Sequence, residues 1–423
     1  MSMEFDHRQV WPMCLTDNSN NKNKEIRLIW GLSIASVVVY INLYLVQGIL
    51  PLIAETFDVD ISHSTLLLSV TSFAMAFSLL FYAWLSDRVG RKPPLMISLY
   101  LLLLTDVLMI FVADFSVLVC LRLLQGVLIA AVPAIAMAYF KDELSQASML
   151  KAGGVYIAAN SIGGISGRLI GGALSLHLHW QQVIMVILAI SIVGVVMVHY
   201  LLPRTQFKKP DRPRVRQRVF RAKDLNGFLV HLRDAKLRQI YLVGGLAFLV
   251  MVNQFSFIQL HLMSAPFSLG RFEVTLIFLC YLSGTWASYH SSHLIKRFGR
   301  RTLFRLSLLL MFLGSLLTLV DTGVFICLGF LVTAFGFFLI HSGCNAWVTH
   351  RAKCHRAKAT SLYLCSYYLG AALGGPLLMP FWHHWGWGGV VLGSSLIMAL
   401  LSLVLLRLTN NESMTVPAHA SSS

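Results

Sequence analysis

Two ionisable residues stand where an isolated charge is costly. Asp106 falls inside an apolar run at about 94–113, and Arg122 inside the next, at about 116–139. At about 1.5 Å of helix rise per residue, each lies roughly 10–12 Å from the near end of its run, at matching depth. Burying either charge costs several kcal/mol unless it is paired or meets water. One arrangement that meets the requirement is a mutual ion pair whose carboxylate takes up and releases a proton. The other is purely structural, either a permanent pair or two separately hydrogen-bonded groups.

Three further groups carry potential chemistry. Asn42, Tyr44 and Gln47 sit in the first apolar run and Asn253, Gln254 and Gln259 in the seventh. Facing a central cavity, such neutral donors and acceptors suit an uncharged, hydroxyl-rich solute; facing another helix, they are interhelical hydrogen bonds. The turn SDRVGRK places Asp87, Arg88 and Arg91 around Gly90, where a carboxylate can accept from backbone N–H groups of a neighbouring helix and the arginines can reach carboxylates or phosphates. Gly163, Gly167 and Gly171 recur at intervals of four, with Gly164 and Gly172 on the adjacent face. That stripe lets another helix approach closely, for static packing or for sliding. Arg168 lies among these glycines near the outer end of its run, placed to snorkel to water or to pair with a facing helix.

Other chemistry is not signalled. No Walker A sequence and no nucleophile, base and orienter grouping appears. The seven cysteines form no C-x-x-C pair, and most read as small core hydrophobes. His290 and His293 are three apart, while His383 and His384 sit with Trp382, Trp385 and Trp387 in what reads as an interfacial aromatic belt. Neither pair has metal-site spacing, and no cofactor is implied.

The elements that hold these residues follow from composition. Of 423 residues, 57% are apolar and 12% charged, about half the charged fraction of a soluble domain. Spanning-length apolar runs fall at about 28–50, 65–85, 94–113, 116–139, 148–174 and 181–202, then at 239–263, 273–294, 303–320, 323–347, 358–380 and 387–407. The expected fold is therefore all-α and integral to a membrane, with twelve transmembrane helices. The predicted units are a tail at 1–27, six helices over 28–202, a basic linker at 203–238, six helices over 239–407 and a tail at 408–423.

Alternate gaps divide the charges. Lys22, Arg88, Lys92, Lys141, Arg301 and Arg351 fall on one side; Arg271 falls on the other with Glu55, Asp58, Asp60, Asp114, Glu273 and Asp321. By the positive-inside rule the first side, with both termini, is cytoplasmic. The first apolar run lacks the compact basic region of a cleaved signal peptide, so it is expected to be retained. The formal charge of +16 is accounted for by these short loops and the linker, and calls for no nucleic acid. A stretch at 225–237 of the linker reads as interfacial, either as an anionic-lipid clamp or as plain solvated chain.

The halves repeat. YIAANSIGGISGRLIGG from Tyr156 aligns without a gap to YLCSYYLGAALGGPLLM from Tyr363, an offset of 207 residues. SDRVGRK meets IKRFGRR at nearly the same offset, although Lys296 stands opposite Asp87. Two pseudo-symmetric six-helix bundles with a site between them are expected from such a repeat.

Along nearly its whole length the chain resembles the major facilitator superfamily. AWLSDRVGRK, Ala83–Lys92, matches the loop signature with Ala83 in place of its first Gly; RLLQG, Arg122–Gly126, matches the fourth-helix signature. GGISGRLIGG, Gly163–Gly172, matches the fifth-helix signature of proton-coupled drug exporters, with Arg168 in place of Pro. The resemblance implies a latch at Asp87, Arg88, Gly90 and Arg91 and proton coupling at Arg122, with Gln125 and Gly126 in the same signature. NSIGGISGRLIGG and SLYLCSYYLG resemble the YnfM-type permeases of bacterial inner membranes, a branch described as arabinose-efflux-like. That implies a monomeric exporter of a small neutral solute such as arabinose, or of a drug-like compound, in exchange for protons. Nutrient uptake on the same fold, and a non-transporting sensor, are the alternatives; the retained latch, Arg122 and glycine stripe favour transport.

Overall fold

The computed structural model describes residues 13–203, 222–352 and 356–410; half of the basic linker and the outer parts of both tails lie outside them. The first half contains α1 (Met13–Phe57), α2 (Ile61–Ser64), α3 (Leu66–Val89), α4 (Lys92–Ile110), α5 (Phe115–Ile129), α6 (Ala131–Glu143), α7 (Gln146–Leu174) and α8 (Trp180–Leu201). The second contains α9 (Ala222–Arg233), α10 (Ala235–Met263), α11 (Arg271–Thr275), a 3₁₀ turn (Leu276–Cys280), α12 (Tyr281–Phe298), α13 (Arg300–Leu317), α14 (Gly323–Arg351) and α15 (Arg356–Asn410).

Among the described residues eight helices are long and apolar enough to cross a membrane, counting α5 and α6 as one and α15 as one. Helix α15, at 55 residues, is longer than one crossing needs. It is broken at Trp385 and Gly386, where glycine takes φ 54°. The 116–139 run divides at Ala130; Pro133 has no N–H to offer the carbonyl of Ile129, four residues back. The 273–294 run begins as α11 and the 3₁₀ turn before α12 takes over. Helix α1 starts at Met13, fifteen residues before its apolar run. Helix α9 occupies the stretch expected to be interfacial and exposes Leu229, Val230 and Leu232.

Several loop acids serve as caps. The Asp114 carboxylate accepts from the N–H groups of Ser116 (2.8 Å) and Val117 (3.2 Å), and Asp234 does the same for Lys236 (2.9 Å) and Leu237 (3.3 Å). Each such cap contributes about 1 kcal/mol.

The repeat is present in the packing. Helix α1 lies along α7 as α10 lies along α15. A Cβ on Gly163 would stand 2.8 Å from the Val37 carbonyl oxygen and one on Gly167 2.6 Å from that of Ile41. In the second half a Cβ on Gly370 would collide with the Gly245 carbonyl, and one on Gly374 would lie 2.9 Å from that of Leu249. The glycines are thus sites where backbone meets backbone. The two signature turns also match: Gly90 (φ 99°) and Gly299 (φ 78°) each donate N–H to the carbonyl four residues back, Ser86 at 3.1 Å and Ile295 at 3.0 Å. Only glycine adopts that backbone without strain.

Away from the helix contacts the surface is apolar. Phe73, Phe77 and Phe81 form an exposed stripe on α3, and Ile97, Leu101, Leu104 and Leu108 another on α4. Faces of that extent are stable against lipid rather than water.

Candidate functional site between the halves

Arg122, on α5, is buried and turned toward α1. Its Nη1 donates to the carbonyl of Asn42 (3.1 Å) and to Gln125 Oε1 (2.6 Å), and its Nη2 to the carbonyl of Leu43 (3.0 Å). Gln125 Nε2 in turn donates to Asp106 Oδ1 at 2.6 Å. Asp106 and Arg122 therefore do come together, but no direct ion pair joins them; one amide, one helical turn from Arg122, makes one hydrogen bond to each. Asp106 Oδ2 and Arg122 Nε have no hydrogen-bond partner. Gly126 follows at a tight crossing, where a Cβ would strike the carbonyl of Thr71 on α3.

The six polar residues of α1 and α10 are drawn largely into helix contacts. Asn42 Nδ2 donates to Ser191 Oγ on α8 and to its own helix at Val38 (both 2.9 Å). Asn253 Nδ2 donates to the carbonyls of Leu249 (2.9 Å) and Ala371 (3.3 Å), Gln254 bonds Ser315 (2.9 Å), and Gln259 Nε2 turns back to Phe255 (3.2 Å). Gln47 is different because it crosses between halves. Its Nε2 donates to Ser256 Oγ on α10 at 2.7 Å while its Oε1 accepts from Arg168 Nε at 2.8 Å.

Arg168 does not snorkel: it is 1% exposed. Its guanidinium lies 3.8 Å from the Tyr44 ring centre and 4.7 Å from those of Phe278 and Tyr281, so first-half and second-half rings enclose it. Further tyrosines that the spacing of polar groups does not single out pack between the helices. Tyr40 and Tyr368 bring their hydroxyls to 3.0 Å across the interface, Tyr367 stacks on Phe248 at 3.7 Å, and His341 Nδ1 meets the Tyr363 hydroxyl at 2.9 Å. Their spacing, Tyr40 with Tyr44 and Tyr363 with Tyr367, was the available signal. Trp387 is buried and donates to Thr318 Oγ1 at 3.1 Å, so it leaves the interfacial belt to which its neighbour Trp385 remains exposed.

The halves are joined at the acidic end. Arg271, the first residue of α11, forms an ion pair with Glu55 at the end of α1 and donates to the Ser175 carbonyl at 3.3 Å. Below them Gly172 lies so close to Thr275 that a Cβ would collide with its side chain. At the basic end these ion pairs among the described residues each lie within one half: Arg91 with Asp87 (2.6 Å) and Asp142 (2.8 Å), Lys24 with Glu143 (3.1 Å), and Arg351 with Asp234 (2.8 Å). Asp87 thus bonds its own turn in this conformation, while Arg88 stacks 4.8 Å over Trp84. Among the described residues no group of three or more His, Cys, Asp or Glu could hold a metal ion.

The sequence profile of the Major Facilitator Superfamily matches residues 32–265 and again 240–421. The chain belongs to this superfamily. It is therefore a multi-pass secondary transporter that moves small molecules across a membrane, a class that performs no covalent catalysis. The inner membrane transport protein YnfM of Escherichia coli is 32% identical over 383 residues, covering 90% of each chain. The uncharacterized transporter YybF of Bacillus subtilis is 33% identical over 86% of this chain and 88% of its own. The crystal structure of the human organic anion transporter MFSD10 superposes with a TM-score of 0.69 over 91% of this chain and 99% of that one, at 17% identity. At that identity the likeness is one of fold.

Proposed function

We propose that this superfamily member exports a small organic solute in exchange for protons, by alternating access of two six-helix bundles in a bacterial inner membrane. The twelve crossings are α1, α3, α4, α5–α6, α7 and α8, then α10, α11–α12, α13, α14 and the two limbs of α15 on either side of Gly386. The bundles occupy 28–202 and 239–407, joined by the 203–238 linker, and one copy of the chain suffices. The positive-inside rule assigns the basic end and both termini to the cytoplasm.

The observation that carries this reading is the one-sided seal. Glu55, Ser175 and Gly172 of the first half meet Arg271 and Thr275 of the second at the acidic end, whereas among the described residues the basic-end pairs Arg91–Asp142 and Arg351–Asp234 each hold within one half. That is the arrangement of an inward-facing transporter. Asp87 is then free to latch the basic mouth in the opposite state. Gly163, Gly167 and Gly171 let α1 and α7 pack backbone to backbone as a unit, and Asp106, held by Gln125 beside Arg122, is the proton site. Similarity to the inner-membrane protein YnfM supports the location. The case for a neutral solute rests on the amides; of these, Asn42, Gln47, Asn253 and Gln254 have interhelical partners, while Gln259 bonds its own helix.

The test is transport by the purified protein in reconstituted vesicles, over a panel of solutes, with and without an imposed proton gradient. Solute movement that ignores the gradient in every case would sink the proton-exchange reading.

A further inference from the structure

Arg168 carries a full charge into the middle of the protein with no anion to meet it. Of its five N–H donors, Nε bonds Gln47 Oε1 (2.8 Å) and Nη1 bonds the Gly164 carbonyl (2.9 Å), both neutral acceptors. Nη2 has no partner, and among the described residues no carboxylate pairs with the group. Three aromatic faces offset part of the burial cost, since each cation–π contact is worth about 0.5–2 kcal/mol. They leave the donor unsatisfied. A second orphaned donor belongs to one of these rings: the hydroxyl of Tyr281, whose ring centre lies 4.7 Å from the guanidinium carbon, also lacks a partner. Both residues are more than nine-tenths buried, at 1% and 7% exposure.

We infer that Arg168 and Tyr281 form an anion-binding centre for the transported solute, and that this solute is an amphipathic organic acid. This rests on the alternating-access reading, because a closed interface must part to admit it. Three observations narrow the chemistry. The orphan donors come from opposite halves, Arg168 from α7 and Tyr281 from α12, so a bound head group bridges the units that move. One guanidinium balances one negative charge, and a dianion would leave a net charge in hydrocarbon. The surroundings are rings, with Tyr44 against the guanidinium and Tyr40 stacked on Tyr44 at 6.2 Å. These accept an aromatic or aliphatic body and cannot replace the hydration shell of a small inorganic ion. Gly164 keeps the place open: a Cβ there would come within 3.3 Å of both Arg168 Nη1 and Tyr44.

The test uses matched pairs that differ in charge alone, 4-hydroxybenzoate against 4-hydroxybenzamide and phenylacetate against phenylacetamide, on the full-length protein in detergent, read by ligand-induced thermal stabilisation. The acids should stabilise the wild type and the amides should not. Arg168→Gln should weaken acid binding at least tenfold, Arg168→Lys should retain part of it, and Tyr281→Phe, which keeps the ring, should weaken it two- to tenfold. Equal effects of acid and amide would overturn the inference, as would an absence of stabilisation by either acid. If Arg168→Gln does not fold, Tyr281→Phe and Arg168→Lys decide: acid affinity within twofold of wild type in both means a purely structural cation–π clamp and refutes the site. Acid binding that persists in a protein showing no gradient-driven transport would instead count against proton exchange.

Discussion

The ion pair between Arg271 and Glu55 is the most exposed part of the seal, and its worth can be bounded. The two side chains are 29% and 68% accessible, so solvent screens them, and exposed pairs contribute about 0.2–1 kcal/mol. Arg271→Gln should therefore shift the balance toward the outward-open state only about 1.5- to 5-fold. Glu55→Lys places like charges together; with a further penalty of similar size the shift grows to at most about thirtyfold, for about 2 kcal/mol. Glu55→Arg combined with Arg271→Glu should restore the wild-type balance. The readout is Thr275→Cys, at a position fully buried beneath the pair, in a background lacking the seven native cysteines, labelled by a membrane-impermeant maleimide from outside. Labelling should rise in the order wild type, Arg271→Gln, Glu55→Lys, and the difference should shrink in molar salt. Gln47→Leu should open the seal further than Arg271→Gln, because it breaks a buried bond to Ser256 and a charge-assisted one from Arg168, the latter alone worth about 1.5–3 kcal/mol. Equal labelling of wild type and Glu55→Lys, or failure of the charge swap to rescue, would refute the account of this end as a gate.

Four other outcomes are expected. Asp106→Asn should cost about 1 kcal/mol in thermal denaturation and abolish gradient-driven accumulation while keeping solute exchange, whereas Gln125→Leu, which strips two buried charges of their shared partner, should cost about 3–5 kcal/mol. Asp87→Asn should leave insertion and melting temperature nearly unchanged, since its contact with Arg91 is exposed, yet cut vesicle transport severely because the closed basic mouth loses its acceptor. Gly370→Ala should destabilise by about 1–3 kcal/mol, as the new methyl meets the Gly245 backbone, a neighbour that cannot rotate away. Burial pushes the Asp234 carboxyl up, but the Arg351 hydrogen bonds and the helix N–H groups outweigh it, so its pKa lies below the ordinary 3.8. A depressed carboxylate stabilises the fold above that ordinary value and ceases to as pH falls through the folded one. The stability advantage of wild type over Asp234→Asn, about 0.5–1 kcal/mol after allowing for exposure, should be constant near neutrality, begin to fade near the ordinary carboxylate value of 3.8 and be lost as pH falls through the lower folded pKa.

What could be read from the sequence was what the bilayer itself dictates. Apolar run lengths and the glycine interval on α7 each follow from one-dimensional spacing, as does the repeat that sets Gly163 opposite Gly370. Rotation about the helix axis does not. Depth placed Asp106 and Arg122 at one level, but that Gln125 would stand between them depends on which way α4 and α5 turn. The same ambiguity hid the fate of the amides: Asn42 faces α8 and Gln254 faces Ser315, while Gln47, five residues from Asn42, faces the other half. Glu55 and Arg271 read as loop charges because their meeting spans 216 residues of sequence and a contact between halves.

A transporter that exchanges one species for another needs a part that both binding events act on. Helix α1 has the geometry for it. Arg122 holds the carbonyls of Asn42 and Leu43 from one side, and Arg168 holds Gln47 and covers Tyr44 from the other, so two buried guanidinium groups grip one short segment. Gln47 continues the connection to Ser256 in the second half. If Asp106 takes the proton as proposed, the Gln125 amide must choose between a carboxylate and a carboxyl group, and the strength of its hold on Arg122 changes with that choice. A changed hold on Arg122 changes its grip on the Asn42 and Leu43 carbonyls, and α1 cannot shift there without moving Tyr44 and Gln47 against Arg168. An anion at Arg168 would act on the same segment from its far end, competing with the Gln47 carbonyl for the guanidinium. Proton and solute need not touch for each to alter the affinity for the other, since both work through the six residues Asn42 to Gln47 of a single helix.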